Sequence, residues 1–497
     1  MISGKKLKIL MMSAESAPLT KAGCLSDAVG SLAKAMPESD CDARLIMPKY
    51  GPIDEKKWKM ELLFKDIEIM TDSRLTSVNL WQTILPGSDV PVYLIEHPLF
   101  EAENFNGDGA KRFLFFSLGT LQILPVLEFI PDIIHCHDFH TAVMADLIKV
   151  SPYPVYRNVK TLLTIHELPY QEKGYPEIAD MDSRTLRTMA KNADNDEIKL
   201  MAQGILNADR INSVSPSFAR EILDNSEELG IENLIIKKSQ RITGILNGLD
   251  MERFDPSSDP DIKKNYSYRD IENKSANKHF LQKKIGLPAK KKPPLIAMVS
   301  SLVKKKGIEL LKEETIALMT RPPCSCQFVI LGKGEKKFES ELKRYNKKYS
   351  ENFKFINKSD QRLAREIFAG SDILVKPSLC EPCGLGQMIA MRYGTVPVVR
   401  KTGGLADTVD PATGFVFTDF SQTALREALQ KAVQVYYNKP DSWKRMQRKG
   451  MRTDFSWKKS AGEYLKLYGS MLKENSQNYI KNESKYYDFN LRKMTGD

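Results

Sequence analysis

The string KAGCLSDAV at residues 21–29 returns as KTGGLADTV at residues 401–409, and the two share the pattern K-x-G-x-L-x-D-x-V. Each copy follows an apolar run, KILMMSA in the first case and TVPVVR in the second, and each leads into a helical pattern. Both therefore mark a place where a strand gives way to a helix. A single Lys-x-Gly turn of this kind reads more readily as a mere tight connection. Its duplication points to two strand-turn-helix units, and in open parallel sheets ligands bind beyond the carboxyl ends of the strands, against helix N-termini whose amides favour anions. The expectation is two turns facing each other across a cleft, holding a diphosphate between backbone N–H groups and Lys21.

The rest of the chain supports two such units. At 497 residues it is too long for one ordinary core. The first half alternates short apolar runs with helical stretches: KILMMSA precedes SDAVGSLAKAM, DIIHC precedes TAVMADLIKV, and KTLLTIH follows. After the turn-rich stretch GILNGLDMERFDPSSDP a second series opens with PPLIAMVSSL, CQFVILGKGE, SDILVKPS and TVPVVRKTGG. Strands alternating with helices at this spacing argue for parallel sheets covered on both faces. The sequence thus predicts an α/β chain of two Rossmann-like doubly wound domains, one over 1–250 and one over 251–472, followed by a polar tail over 473–497.

Charge and cysteines narrow the partners. The net charge of +11 is spread over short lysine runs such as 290–292 and 304–306 rather than gathered in one basic arm, so a solvated surface is expected and nucleic acid is not. Seven cysteines, an odd number without framework spacing, suggest free thiols in a reducing compartment. Cys380 and Cys383 enclose Glu-Pro at a strand-to-helix turn, which argues against a zinc site with Cys324 and Cys326. No apolar run approaches the roughly 18 residues of a spanning helix, and the N-terminal apolar stretch reads as a buried strand rather than a signal peptide. A cytoplasmic protein with no membrane partner is expected.

The segments KAGCLSD, HCHDFHT, LLTIHELPYQ, GILNADRINSVSPSFAREI, GILNGLD, SDPDIKKNYS, EPCGLGQMIAMRYGTVPVVRKTGGLADTV and TGFVF occur in this order between residues 7 and 472. In them the chain resembles the bacterial glycogen synthases and plant starch synthases. The resemblance implies the glycosyltransferase-B fold, with the domain over 1–250 on the acceptor side and the domain over 251–472 binding the nucleotide sugar and sending its final helices back toward the first. It also implies transfer of glucose from a nucleotide diphosphate glucose, ADP-glucose by preference, to the non-reducing end of an α-1,4-glucan, with retention of configuration and with no cofactor or metal.

Cleaving a sugar–diphosphate bond builds positive charge on the anomeric carbon and negative charge on the departing phosphate, so such a site needs cations and groups that fix the sugar. By the resemblance, Lys306 in VKKKG is the phosphate-binding lysine and Glu381 in EPCG lies against the donor glucose, where the alternative is a helix N-cap. Cys383, Gly384 and Leu385 open the helix that follows. His140 in HDFH matches a donor-glucose contact; a metal cluster with His135 and His137 is the other reading of the three histidines. Asp138 reads as a loop-orienting carboxylate, with a catalytic role as the other reading, and His166 and Tyr170 lie past the next strand. Lys21, Gly23 and Asp27 form the first turn and Thr402, Gly403 and Gly404 the second, with amides expected on the diphosphate.

Three departures from the family pattern stand out. Cys24 and Ser26 replace two glycines of K-T-G-G-L-G-D, which would be strained if either position required positive φ. Ser301 replaces the arginine of S-R-L before Lys306, removing a guanidinium expected on the phosphates. Leu379 and Cys380 replace the pair before E-P-C-G-L. These changes motivate a second reading, a catalytically weakened paralogue that binds glucan or nucleotide sugar as a scaffold or regulator.

Overall fold

Ile9, Leu10, Met11 and Met12 are fully buried, as a strand covered on both faces requires, and the strand they belong to, β1 (Leu7–Met12), lies in the middle of the first of two sheets. The computed structural model describes residues 6–21, 23–37, 41–71, 75–101, 109–168, 200–224 and 241–473. The chain divides into two units: Met1–Val214 with Ile222–Gly248 and Trp457–Asp497, and Ser215–Glu221 with Leu249–Ser456. The division is discontinuous. The short segment 215–221 counts with the second unit, and the helix over 457–473 counts with the first. The polar tail from 474 onward lies outside the described residues.

The first unit is built on β1, β2 (Cys41–Pro48), β3 (Glu61–Met70), β4 (Leu75–Ile84), β5 (Pro91–Glu96), β6 (Ile133–His137), β7 (Lys160–Ile165), β8 (Arg210–Ser213) and β9 (Ile242–Gly244), in the order β3-β4-β5-β2-β1-β6-β7-β8-β9. From β5 to β9 all pairs are parallel, but β3 and β4 run antiparallel. The expected parallel sheet therefore forms the body of this unit, extended at one edge by an antiparallel pair. These two strands escaped the sequence reading because most side chains of β3 are exposed or half-buried, so no continuous apolar run marks it. An antiparallel pair also needs only a short turn where a parallel pair needs a crossover helix.

The second unit is a six-stranded sheet, every pair parallel, made of β10 (Leu295–Val299), β11 (Gln327–Leu331), β12 (Phe353–Ile356), β13 (Ile373–Lys376), β14 (Val396–Arg400) and β15 (Phe415–Phe417). Its order, β12-β11-β10-β13-β14-β15, is the doubly wound order 3-2-1-4-5-6. Phe328, Phe353, Tyr345 and Trp443 are among the large side chains of its core. The order reverses between β10 and β13, so the carboxyl ends of these two neighbours form the crevice where such sheets bind ligands.

Candidate active site

In the first unit the strand order runs outward from β1 in both directions, so the switch point falls at the ends of β1 and β6. The turn after β1 ends at Gly23, which precedes the helix Cys24–Ala35 in extended backbone. Lys21 Nζ is 2.9 Å from Asp27, an ion pair between partly exposed side chains. Cys24 and Ser26 lie inside the helix, and neither is among the residues with positive φ. Ser26 Oγ donates to the Gly23 carbonyl over 2.7 Å, locking the turn to the helix start. The expected strain at the two replaced glycines is thus absent, because a helical position needs no left-handed backbone.

At the end of β6, Asp138 adopts φ 57° and turns the chain into the helix Phe139–Ala142. Its Oδ1 accepts from the His166 amide at 2.6 Å and from the Glu167 amide at 3.4 Å, tying the end of β6 to the end of β7. Burial pushes the Asp138 carboxyl up to about 8; the two amides pull it down, while Glu167 and Glu15 raise it further. His140 stacks on Phe139 at 3.8 Å between ring centroids and meets the edge of Phe113 at 4.6 Å. Burial, and then His166, hold its imidazole at about 3, so it is neutral at physiological pH. His166 is buried, with Nε2 3.0 Å from His137 Nδ1. His135 bonds instead to Thr164 at 2.7 Å and to the Tyr468 hydroxyl at 2.8 Å. The histidines therefore partner each other, Thr164 and Tyr468, and no metal-holding group of three ligands occurs among the described residues. Tyr170 lies outside the described residues.

In the second unit, Lys306 stands on a short turn after β10. Gly307 follows it at φ +69°, and a Cβ there would sit 2.0 Å from the Pro377 carbonyl oxygen, so only glycine lets this turn close on the loop that leaves β13. The closure brings Lys306 Nζ to 2.8 Å from Glu381 Oε1. Glu381 Oε2 accepts from Ser378 Oγ at 2.8 Å and lies 3.3 Å from Lys376 Nζ. Burial alone would raise this carboxyl, but Lys376 and Lys306 hold it down at about 2. Glu381 is therefore a buried, permanently ionised carboxylate and not a helix N-cap, since Leu385 caps the helix Gly386–Arg392. Cys383 is buried, Gly384 and Leu385 are half-buried, and Ser301 is exposed just past β10.

The second Lys-x-Gly turn packs onto this loop from behind. Gly403 has φ +41° and approaches so closely that a Cβ would lie 2.1 Å from the Glu381 carbonyl oxygen. The Gly404 amide donates to the carbonyls of Glu381 and Pro382 at 3.0 and 3.1 Å. The Gly403 amide donates to Glu221 Oε1 at 2.7 Å, and the Thr402 hydroxyl to Glu221 Oε2 at 3.1 Å. The third amide of the turn, that of Thr402, donates to the Arg400 carbonyl at 3.0 Å, so all three amides expected on a diphosphate are bonded to protein acceptors here. The same segment holds Pro382 O through Ser215 Oγ at 2.6 Å, and Asp407 through the amide and hydroxyl of Ser217 at 2.8 and 2.7 Å.

Sequence reasoning missed Lys376, Glu221 and Ser215. The signal for Lys376 was a lone cation ending the apolar run DILV. For the other two it was their place in SPSFAREI, a string that the resemblance flags without assigning roles.

A 3-2-1-4-5-6 sheet with a carboxylate clamped between lysines at its switch point, in a chain with a second parallel-sheet unit, defines the class: a glycosyltransferase of the two-Rossmann, glycosyltransferase-B type. The model of the starch synthase catalytic domain matches residues 8–237, and that of glycosyl transferases group 1 matches residues 280–450. The chain is 38% identical to the glycogen synthase of Moorella thermoacetica, over 95% of this chain and 98% of that one, and 36% identical to the glycogen synthase of Lactobacillus acidophilus, over 94% and 100%. The catalytic domain of starch synthase IV from Arabidopsis thaliana, solved bound to ADP and acarbose, superposes with a TM-score of 0.84 at 30% identity, covering 94% of this chain and all of that one. The chain belongs to the glycogen synthase and starch synthase family.

Proposed function

We propose that this chain transfers glucose from a nucleotide diphosphate glucose, ADP-glucose by preference, to the non-reducing end of an α-1,4-glucan with retention of configuration. The observation that carries this reading is Glu381, ionised and pinned at the switch point of the second sheet. In the transition state its charge favours the positive character developing at the anomeric carbon, and its oxygens accept hydrogen bonds from donor hydroxyls. Lys306 is the cation for the departing diphosphate, a point charge that needs no metal beside it. Cys383, Gly384 and Leu385 line the donor at the start of their helix. Thr402, Gly403 and Gly404 act by shaping the Glu381 loop, since their own donors already serve protein acceptors.

In the first unit, His140 is a neutral imidazole, able to donate at one nitrogen and accept at the other, as contacts to sugar hydroxyls require, while His166, also neutral, has Nε2 engaged by His137 and offers Nδ1. Asp138 orients the loop of His166, and Lys21, Gly23 and Asp27 supply a compact turn with a cation at its edge. Tyr170 completes the donor-side set. The scaffold reading loses part of its motivation, because Cys24 and Ser26 carry no positive φ. The test is nucleotide release from ADP-glucose and UDP-glucose, with and without glycogen, together with chain elongation. Glucan-dependent ADP release that EDTA leaves unchanged is expected; tight ADP binding without any transfer would favour the scaffold.

A further inference from the structure

Lys376 ends a strand, β13, whose other residues are apolar, and it is itself buried at 8% relative exposure. Burying a lysine is costly unless it is paired, and this one is paired with the residue at the centre of the proposed site. Lys306 stands at one oxygen of Glu381 and Lys376 at the other, 2.8 and 3.3 Å away. A Cβ at Gly384 would lie 3.1 Å from Lys376 Nζ, and one at Gly386 3.6 Å from its Cδ, so the side chain runs beneath the whole 381–386 loop.

One cation suffices to neutralise one carboxylate. Lys306 and Glu381 alone would be a neutral pair, presenting little net field to an anion. With Lys376 the three side chains carry one excess positive charge in a buried place, where it is weakly screened. The strand that carries Lys376 is hydrogen-bonded to β10, whose exit carries Ser301. The cation that position 301 lacks is thus matched by one at the end of the neighbouring strand.

We propose that Lys376 is a positioning residue that supplies, from β13, the positive charge that Ser301 does not supply from β10: it neutralises and pins Glu381, leaving the charge of Lys306 for the departing diphosphate. The proposal rests on the transfer reading above. The groups that face Glu381 are Lys306 from the turn after β10, Lys376 from β13, and Ser378 from its own loop. Arg400 from β14 binds the carbonyls of Ser378 and Leu379, and Glu221 lies beyond Gly403. Both lysines hold the Glu381 carboxyl down.

The experiment compares wild type, Lys376→Met, Ser301→Arg and the double variant by calorimetric ADP affinity and by steady-state kinetics with ADP-glucose and glycogen from pH 5 to pH 8. Lys376→Met is expected to weaken ADP binding and lower kcat/KM by about tenfold or more. It is also expected to bring an acid limb of kcat into the measured range, as Glu381 loses a cation; a purely structural lysine would not move that limb. Ser301→Arg is expected to recover most of the loss in the Lys376→Met background and to change the wild type little. Equal gains from Ser301→Arg in both backgrounds would overturn the proposal. So would a large gain in the wild type alone, a result that does not depend on how Lys376→Met folds. Wild type that neither binds ADP nor releases it from ADP-glucose would defeat the transfer reading instead, whatever the variants do.

Discussion

Glu381, with one lysine on each oxygen and a serine hydroxyl besides, is constrained in both position and charge, and its replacement tests the chemistry most directly. Losing a contact made to developing charge in a water-poor site costs about 2.7–4 kcal/mol, so Glu381→Ala is expected to lower kcat/KM at least about a hundredfold, and His140→Ala comparably. Steady-state kinetics check both, and a near-normal rate removes that residue from the site. Asp138 makes a different prediction. Its folded-state carboxyl is raised to about 8, against about 3.9 unfolded, so the folded chain holds the extra proton between those values. The stability this contributes is full below the unfolded value and drains away as pH rises through the folded one. Asp138→Asn keeps the acceptor for the His166 amide and has no proton to lose, so its melting temperature relative to wild type should climb from pH 5 to pH 8.5; a constant offset would contradict the raised value. Glu381, Lys306, His140 and His166 could be singled out as candidates because each sits in a string that carries the family resemblance. Lys376 was not, because its role appears only when β13 is placed beside β10, and Tyr170 lies beyond the described residues.

At the scale of elements, the two copies of the opening string have diverged in what their turns do. The first closes on itself, Lys21 to Asp27 and Ser26 to Gly23. The second is a wedge between the Glu381 loop and the segment 215–221, which grips that loop and turn through Ser215, Ser217 and Glu221. Removing the Glu221 carboxylate leaves the Gly403 amide without this acceptor and frees the wedge, so Glu221→Ala is expected to lower kcat about tenfold through the Glu381 loop. Glu221→Gln, whose amide oxygen still accepts from Gly403, should recover most of the rate. If both variants instead bind ADP more tightly than wild type, Glu221 is a competing anion and not a support. The sequence revealed each turn's position and the strands leading into it, because buried parallel strands are written as apolar runs. Which acceptors the turn amides meet depends on residues far away in the chain, Gly403 and Glu221 being 182 apart, and no local pattern records that. The half-exposed β3 and β4 were invisible for the opposite reason, having too little burial to leave a run.

At the scale of the whole chain, the first unit is completed by residues from its far end. The helix over 457–473 belongs to that unit, and a Cβ at Gly248 would lie 2.5 Å from the backbone of Trp457, so the two segments pack with nothing between them. Tyr464 accepts from Asn212 Nδ2 at 2.9 Å, and Ser460 Oγ donates to the Leu246 carbonyl at 2.7 Å. The longest of these links in sequence joins the Tyr468 hydroxyl to His135 Nδ1 over 2.8 Å, between fully buried partners. Burial, and then His166, hold His135 at about 3, so its ring is neutral at working pH and the bond joins two uncharged groups. Such a bond contributes only about 0.5–1.5 kcal/mol net, but stripping one partner leaves a buried ring nitrogen unsatisfied at a cost of about 1–3 kcal/mol. Tyr468→Phe keeps the aromatic volume and removes only the oxygen. With about 2–4 °C lost per kcal/mol in chains of about 150–250 residues, and somewhat less in a larger unit, the variant should melt a few degrees below wild type, with kcat unchanged at temperatures where both are folded. The loss should be nearly the same at pH 6 and pH 8, since neither partner titrates between them. A melt indistinguishable from wild type would mean that the helix is held by packing at Trp457 and Tyr464 alone; a loss confined to acid pH would mean that His135 is charged in the folded chain, contrary to its burial.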